Sequence, residues 1–258
     1  MTMVRSGARH DHGPGPAPEA LRLVEVTKSY GTGDGCVTAL DGVTLGLERG
    51  TFTAVMGPSG SGTSTLLQCA AGLDRPDSGI VRVDGTELTG GSETELTQFR
   101  RGRIGFVFQQ YNLLETLTVA QNTVLPLKLA GRRVDRKRAR ETLTAVGLGD
   151  RLGHRPGQLS GGQQQRVAIA RALVAEHRVI FADEPTGALD TRSAREVPAL
   201  LRQAVRVHGR TVVMVTHDPV AASCADSVLF LADGRLAGRM DAVTERLAHL
   251  GDDMTARA

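Results

Sequence analysis

The chain has 258 residues, of which 40% are hydrophobic and 23% charged, with a formal net charge of +3, which suits one globular domain or one domain with an inserted lobe. Aromatic residues make up 3% of the sequence and Trp is absent, which argues against a protein that binds nucleic acid by stacking bases, so we expect no nucleic-acid partner. The sequence has no apolar run near the roughly 20 residues of a membrane span, and Cys36, Cys69 and Cys224 lie too far apart for a zinc site or a disulfide framework, so we expect a chain that stays in the reducing cytosol.

Strands and helices alternate along the predicted fold. The Gly/Pro/His-rich residues 1–20 are predicted to form a disordered tail, residues 21–246 one domain, and residues 247–258 a C-terminal tail. Strands are predicted at 21–26, 43–47, 51–56, 80–83, 104–108, 179–182, 211–215 and 228–231, and helices at 63–73, 118–130, 134–147, 161–176, 191–207 and 218–225. This alternation predicts an α/β fold with a mostly parallel sheet covered by helices on both sides. The interval 111–165 has helical patterns alone, which indicates a helical lobe inserted into the core.

A glycine-rich loop follows the predicted strand at 51–56 and opens the next helix. Its residues are Gly57, Pro58, Ser59, Gly60, Ser61, Gly62, Thr63, Ser64 and Thr65. Glycines let successive amides point at a phosphate group, and the N-terminus of the following helix adds a favourable dipole. Ser64 stands at the position of the hydroxyl that binds Mg²⁺ in a Walker A loop, so the sequence predicts ATP and Mg²⁺ as cofactors.

Thr63 departs from the Walker A pattern, which has a lysine at this position. That lysine supplies a cation to the β- and γ-phosphates, and a threonine does not. A Gly/Ser turn without a ligand is the alternative interpretation of the loop.

The predicted strand at 179–182 runs into two acidic residues, as in a Walker B segment. Asp183 would hold Mg²⁺, directly or through water, and Glu184 would polarise the attacking water. Taken alone, the same pattern also describes a simple boundary between a strand and a loop.

The segment Leu159-Ser160-Gly161-Gly162-Gln163-Gln164-Gln165-Arg166 resembles the signature sequence of the ABC ATPase family, and the resemblance extends over about residues 21–240. It implies a P-loop NTPase core with a small antiparallel β region and an inserted helical lobe. It also implies a role for each matching residue. Tyr30 would stack on adenine, Gln109 would sense Mg²⁺ and the γ-phosphate, and His217 would contact the γ-phosphate. Asp190 would lie at a dimer interface, and Ser160, Gly161, Gly162 and Gln163 would cover ATP bound to a second subunit.

Two further segments resemble one group within that family, the lipoprotein-release, macrolide-export and antimicrobial-peptide-resistance ATPases. These segments are residues 105–114 and 117–122, with Glu115 and Gln121 at positions where Pro and Glu are frequent. The resemblance implies a homodimer, or a heterodimer with another ABC ATPase, on the cytoplasmic face of the cell membrane. Its partner there would be a permease with an extracytoplasmic domain that exports or extracts a lipophilic or peptide substrate.

Other functions remain open at this point. Thr63 leaves room for a weakly hydrolysing or regulatory subunit, and Pro198 falls inside the helix predicted at 191–207, where it would bend or restart the helix. The DNA-repair and translation-factor relatives are disfavoured, because the chain has no long coiled coil, no zinc module and a single cassette. The Arg-rich segment 132–138 is interpreted as a solvated face, with contact to anionic lipid as the alternative.

Overall fold

A computed structural model describes residues 19–241 of the protein. In chain order its elements are β1 (Glu19–Tyr30), β2 (Val37–Glu48), β3 (Phe52–Met56), α1 (Thr63–Ala70), β4 (Ser78–Val83), β5 (Thr86–Glu87), α2 (Glu93–Arg103), β6 (Ile104–Phe108), α3 (Val119–Leu129), α4 (Arg136–Ala145), α5 (Gly161–Val174), β7 (Val179–Asp183), α6 (Thr191–His208), β8 (Thr211–Val215), α7 (Pro219–Ala222), β9 (Ser227–Ala232) and β10 (Arg235–Asp241). The prediction of a disordered tail at 1–20 is wrong for residues 19 and 20, which belong to β1. The rest of that tail and the tail at 247–258 lie outside the described residues.

The larger sheet has six strands in the order β10-β9-β3-β8-β7-β6. All neighbours are parallel except β10 and β9. Every residue of β8 is buried, as in a strand that is covered on both faces of a parallel sheet. The loops after β3, β7 and β8 therefore leave the sheet at the same edge, where ligands bind in open α/β sheets.

The smaller sheet is antiparallel, with the strand order β2-β1-β4-β5. Its inner face shares one hydrophobic core with α1 and with strands of the larger sheet. Leu23 of β1, Leu67 of α1 and Phe181 of β7 all belong to this core, and each is almost fully buried. Helix α1 is thus held between the two sheets, which positions its N-terminus at the carboxyl edge of the parallel strands.

The helical lobe consists of α3, α4 and the first part of α5. Leu143, Leu148 and Val167 are buried together at its centre. Within residues 19–241 no strand lies between β6 and β7, which agrees with the helical interval predicted at 111–165. None of the helices in this described range is long and apolar enough to cross a membrane.

Several elements differ from the predictions. Helix α2 and strand β10 were not predicted, because both are mostly exposed: Leu96 is the buried residue of α2, and β10 lies at the edge of its sheet. The helix predicted at 218–225 is shorter in the structure, ending at Ala222. Helix α6 continues through Pro198, which is buried, so of the two expected outcomes, a bend or a restart, the restart does not occur.

Candidate nucleotide-binding site

The glycine-rich loop between β3 and α1 has a conformation that its glycines make possible. Gly60 and Gly62 have φ angles of 83° and 95°, in the left-handed region. A Cβ atom at Gly62 would lie 2.1 Å from the carbonyl oxygen of Ala39. Any other residue at Gly62 would therefore displace the loop from β2.

The loop leaves several donors without protein partners. Helix α1 has Gly62 as its N-cap and therefore no side-chain cap. The amides of Thr63, Ser64 and Thr65 donate to no acceptor within residues 19–241, and the buried hydroxyl of Ser61 has no partner there either. Unpaired amides at the positive end of a helix form an anion site, so a phosphate group fits this loop.

Thr63 is the first residue of α1 and is half-buried. The helix therefore begins at the expected place without a lysine there. The loop lacks the lysine cation, while its amides still form the backbone cradle.

Two oxygen ligands for a metal lie next to this loop. The hydroxyl of Ser64 is 3.4 Å from Oδ1 of Asp183, the last residue of β7. Burial raises the pKa of Asp183, and the neighbouring charge of Glu184 raises it further. The described residues contain no cluster of three acidic, His or Cys side chains that could hold a metal alone. Mg²⁺ fits here with the remaining oxygens supplied by phosphate and water.

Glu184 and His217 form a pair beside Asp183. Oε1 of Glu184 accepts hydrogen bonds from the backbone amide of His217 at 3.1 Å and from its Nδ1 at 2.9 Å. The hydrogen bond and the charge of Glu184 raise the pKa of His217. Oε2 of Glu184 is buried and accepts no hydrogen bond within residues 19–241, so its capacity to accept one is unsatisfied by the protein. Glu184 has a φ angle of 43°, the kind of backbone strain that is common at functional sites.

Gln109 and Tyr30 lie at the ends of two further elements, β6 of the larger sheet and β1 of the smaller one. Gln109 follows β6 and is exposed, and its amide nitrogen would be 2.9 Å from a Cβ atom at Gly187, in the loop after Glu184. Tyr30 ends β1 with 42% of its surface exposed, and its hydroxyl donates to Asp74 at 2.6 Å.

The signature residues occupy a different place. Ser160 caps α5 through a capping box with Gln163, and Gly162 is packed against Ser193 so closely that a Cβ atom would lie 2.2 Å from its hydroxyl. Asp190 caps α6. Within residues 19–241 no hydrogen bond joins the signature residues 160–163 to the loop 57–65. The atoms nearest to a Cβ placed at Gly161 or Gly162 belong to Tyr111, Leu189 and Ser193 and not to the phosphate loop.

Sequence reasoning did not single out Gln165 as a site residue. Its side chain is fully buried and donates to the carbonyl oxygens of Phe108 and Pro185, one residue before Gln109 and one after Glu184. It thus links the two loops through α5. A buried glutamine in a helix carries no pattern in sequence that would predict these partners.

The model of the ABC transporter family matches residues 40–187, more than half of the chain. The chain belongs to the ABC transporter family. The predicted ABC ATPase resemblance is therefore confirmed, and so is the fold class.

Relatives of this ABC cassette agree with the macrolide-export resemblance. A macrolide export ATP-binding/permease protein MacB of Paracoccus denitrificans is 51% identical over 218 residues, 84% of this chain and 32% of that protein. MacB of Chlorobaculum tepidum is 48% identical over 83% of this chain and 33% of its own length. The chain thus spans about a third of the length of these curated relatives.

Two solved structures of the cassette MJ0796 also match. A dimeric post-hydrolysis state bound to ADP and Pi has a TM-score of 0.78 and 42% identity, covering 86% of this chain and 98% of that one. A dimer of the same cassette has a TM-score of 0.79 and 43% identity, with the same coverage.

Proposed function

We propose that this ABC cassette binds Mg-ATP and hydrolyses it to drive a membrane permease. The observation that carries the proposal is the convergence of three features at one sheet edge: unpaired amides at the start of α1, paired oxygens on Ser64 and Asp183, and the Glu184–His217 pair. They fit, in turn, the phosphates, the metal and the attacking water of phosphoryl transfer. The family relationship favours this function over the weakly hydrolysing or regulatory subunit that Thr63 suggested.

Each residue has a distinct role in this proposal. The amides of Thr63, Ser64 and Thr65 bind phosphate oxygens, and Ser64 and Asp183 would hold Mg²⁺, which neutralises phosphate charge when bound. Oε2 of Glu184 accepts a hydrogen bond from water and orients it, while Oε1 stays bonded to His217.

His217 and Gln109 complete the same site. The exposed imidazole of His217 would contact the γ-phosphate. Gln109, which is also exposed, would contact Mg²⁺ and the γ-phosphate and would couple their presence to the position of the helical lobe. Tyr30 provides an aromatic face for adenine.

The contacts of the signature support a dimer. Ser160, Gly161, Gly162 and Gln163 form no hydrogen bond with the loop 57–65 within the described residues, which leaves them available to cover ATP on a second cassette. The MJ0796 cassette, which is dimeric in its solved structures, has the same fold. The second cassette is another copy of this chain or a related ABC ATPase.

A groove between α3, α5 and β6 supports docking of the permease. It encloses about 340 Å³, and its lining includes Phe106, Phe108, Leu125 and Leu129. His177, which also lines it, is buried, and burial lowers its pKa to about 4.

The permease places the cassette at the cytoplasmic face of the cell membrane as a peripheral subunit. By the macrolide-export resemblance, that permease has an extracytoplasmic domain and moves a lipophilic or peptide substrate.

ATP-dependent dimerisation tests the proposal. The 258-residue chain with Thr63→Lys, which secures binding, and Glu184→Gln, which blocks hydrolysis, is measured by gel filtration with light scattering. We expect its mass to double with saturating Mg-ATP and to remain that of a monomer without nucleotide. The matched control adds Ser160→Arg, which places a bulky cation in the signature and should keep the chain monomeric. A monomer of the first variant under saturating Mg-ATP contradicts the proposal.

A further inference from the structure

Tyr30 is held by side chains from two separate segments. Its hydroxyl donates to Oδ2 of Asp74, in the loop after α1, at 2.6 Å. Lys28 donates to Oδ1 of the same carboxylate at 3.1 Å. Lys28 and Tyr30 are two residues apart in β1 and so lie on the same face of the strand. One carboxylate thus binds both side chains.

Lys28 is itself anchored on several sides. Its side chain is 13% exposed, and its ammonium group also donates to the carbonyl oxygen of Arg75 at 2.7 Å. It lies 5.2 Å from the centroid of the Tyr30 ring, within the range of a cation–π contact. The second acidic residue of the loop, Asp77, is 3.7 Å from the ammonium group.

We propose that Asp74 and Lys28 are positioning residues that hold the Tyr30 ring as a fixed platform for the adenine base of ATP. The inference rests on the proposed function, in which Tyr30 stacks on adenine. It goes further by assigning a binding role to two residues that would not touch the nucleotide.

The proposed positioning role follows from the conformational entropy that the exposed Tyr30 ring would lose on binding adenine. Tyr30 ends its strand and is 42% exposed, so without its hydrogen bond the ring would move among several rotamers. A base that stacks on a mobile ring must order that ring, and ordering a side chain weakens binding. The hydrogen bond to a carboxylate is of the stronger, charge-assisted kind, and it orders the ring before the nucleotide arrives.

The charge state of Asp74 agrees with this role. Burial raises its pKa, but the hydrogen bonds from Tyr30 and Lys28 outweigh burial, and the pKa lies below its ordinary value. The carboxylate is therefore ionised at neutral pH. The nearby cation of Lys28 also draws electron density from the ring, which favours stacking against an electron-rich purine.

A competing role for the same contacts is purely structural, as a joint between β1 and the loop after α1. The two roles differ in what they do to a ligand without a base. Loosening the joint would disturb α1 and weaken every phosphate ligand, whereas loosening the ring would weaken only ligands that carry adenine.

The experiment uses the 258-residue chain carrying Thr63→Lys and compares its dissociation constants for Mg-ATP and Mg-tripolyphosphate, measured by displacement of a fluorescent nucleotide. The test substitutions in this chain are Asp74→Ala, Tyr30→Phe and Tyr30→Ala. The control on the same sheet is Glu87→Gln, because the Glu87 carboxylate pairs with Arg82, away from the Tyr30 ring. We expect Asp74→Ala and Tyr30→Phe each to weaken Mg-ATP about threefold to tenfold, the effect of one side chain that must be ordered on binding. Mg-tripolyphosphate binding should be unchanged.

The double variant Tyr30→Phe/Asp74→Ala should lose no more than either single variant, because both remove one interaction. Equal weakening of Mg-tripolyphosphate by Asp74→Ala would overturn the positioning role in favour of the structural joint. If Tyr30→Ala weakens Mg-ATP but Tyr30→Phe and Asp74→Ala do not, the positioning role fails and adenine stacking stands. If Tyr30→Ala has no effect, stacking itself fails.

Discussion

Helices α1 and α5 begin in similar glycine-containing sequences, but their first backbone amides are hydrogen-bonded differently. Helix α1 starts after Gly62, which offers no side-chain acceptor, so its first amides stay unpaired within the described residues. Helix α5 starts after Ser160, whose hydroxyl accepts from the amide of Gln163 while the side chain of Gln163 accepts from the amide of Ser160. The N-terminus of α1 thus leaves three amides for a ligand. In α5 the amide of Gln163 is bonded to its own cap, while those of Gly161 and Gly162 donate to no acceptor within the described residues.

This difference indicates that the N-termini of α1 and α5 have different functions in ATP binding. The start of α1 lies beside Asp183, Glu184 and His217, so it belongs to a nearly complete half-site for phosphate, metal and water. The start of α5 is packed against Tyr111, Leu189 and Ser193 instead. A self-capped helix that presents an exposed serine is suited to meet a ligand already bound elsewhere.

The largest effect should come from Glu184→Gln. In the Thr63→Lys background we expect ATP turnover to fall by about 10²-fold or more, because the amide no longer draws a proton from water, while Mg-ATP binding changes little. Steady-state hydrolysis and nucleotide binding measure the two quantities.

The matched control for Glu184→Gln is Glu141→Gln, which removes an exposed carboxylate from the helical lobe. An equal loss of turnover in both variants would show that the half-site around α1 is not where water is activated.

Thr63→Lys should have the next largest effect, in the opposite direction. A lysine adds a charge-assisted hydrogen bond to phosphate and a cation where charge develops, and one such bond corresponds to about a factor of ten. We therefore expect turnover at saturating Mg-ATP to rise roughly tenfold or more over the chain as it stands. Equal rates for the two proteins would mean that the unpaired amides and Mg²⁺ suffice, and that our account of this position is wrong.

The smallest effect concerns pH and the Glu184–His217 pair. Glu184 raises the pKa of His217, so the charged imidazole stabilises the fold below its ordinary pKa, near 6.5, and this contribution is lost as the pH rises through the raised value. Because His217 is 75% exposed, screening limits the contribution to a few tenths of a kcal/mol. Thermal unfolding should show that His217→Gln lowers Tm slightly at pH 6 and not at pH 9.

The control for this pH dependence is the same substitution in a Glu184→Gln background, where the charge partner is gone. A pH-dependent loss that persists there would assign the effect to a different carboxylate.

Local patterns were sufficient for much of the fold. The buried strands β3, β7 and β8 and the long helices α5 and α6 were predicted within a few residues, because apolar runs and helical periodicity record burial directly. Helix α2 and strand β10 were missed because they are largely exposed. Helix α2 does carry a local signal, the capping box of Ser92 and Glu95, which could have located its start.

The sequence by itself determined the inventory of the site: the glycines that give the loop its left-handed turns, the acids after an apolar strand, and the signature serine. It determined these because each depends on residue type and on spacing along the chain. Tertiary structure alone decided which of them meet. Ser64 and Asp183 are far apart in sequence and adjacent only because α1 and β7 are held at one edge by a shared core. Tertiary structure likewise decides the contacts of Tyr30 with Asp74 and of Gln165 with two loops. The residue type of a polar side chain does not determine which distant atom it will bond.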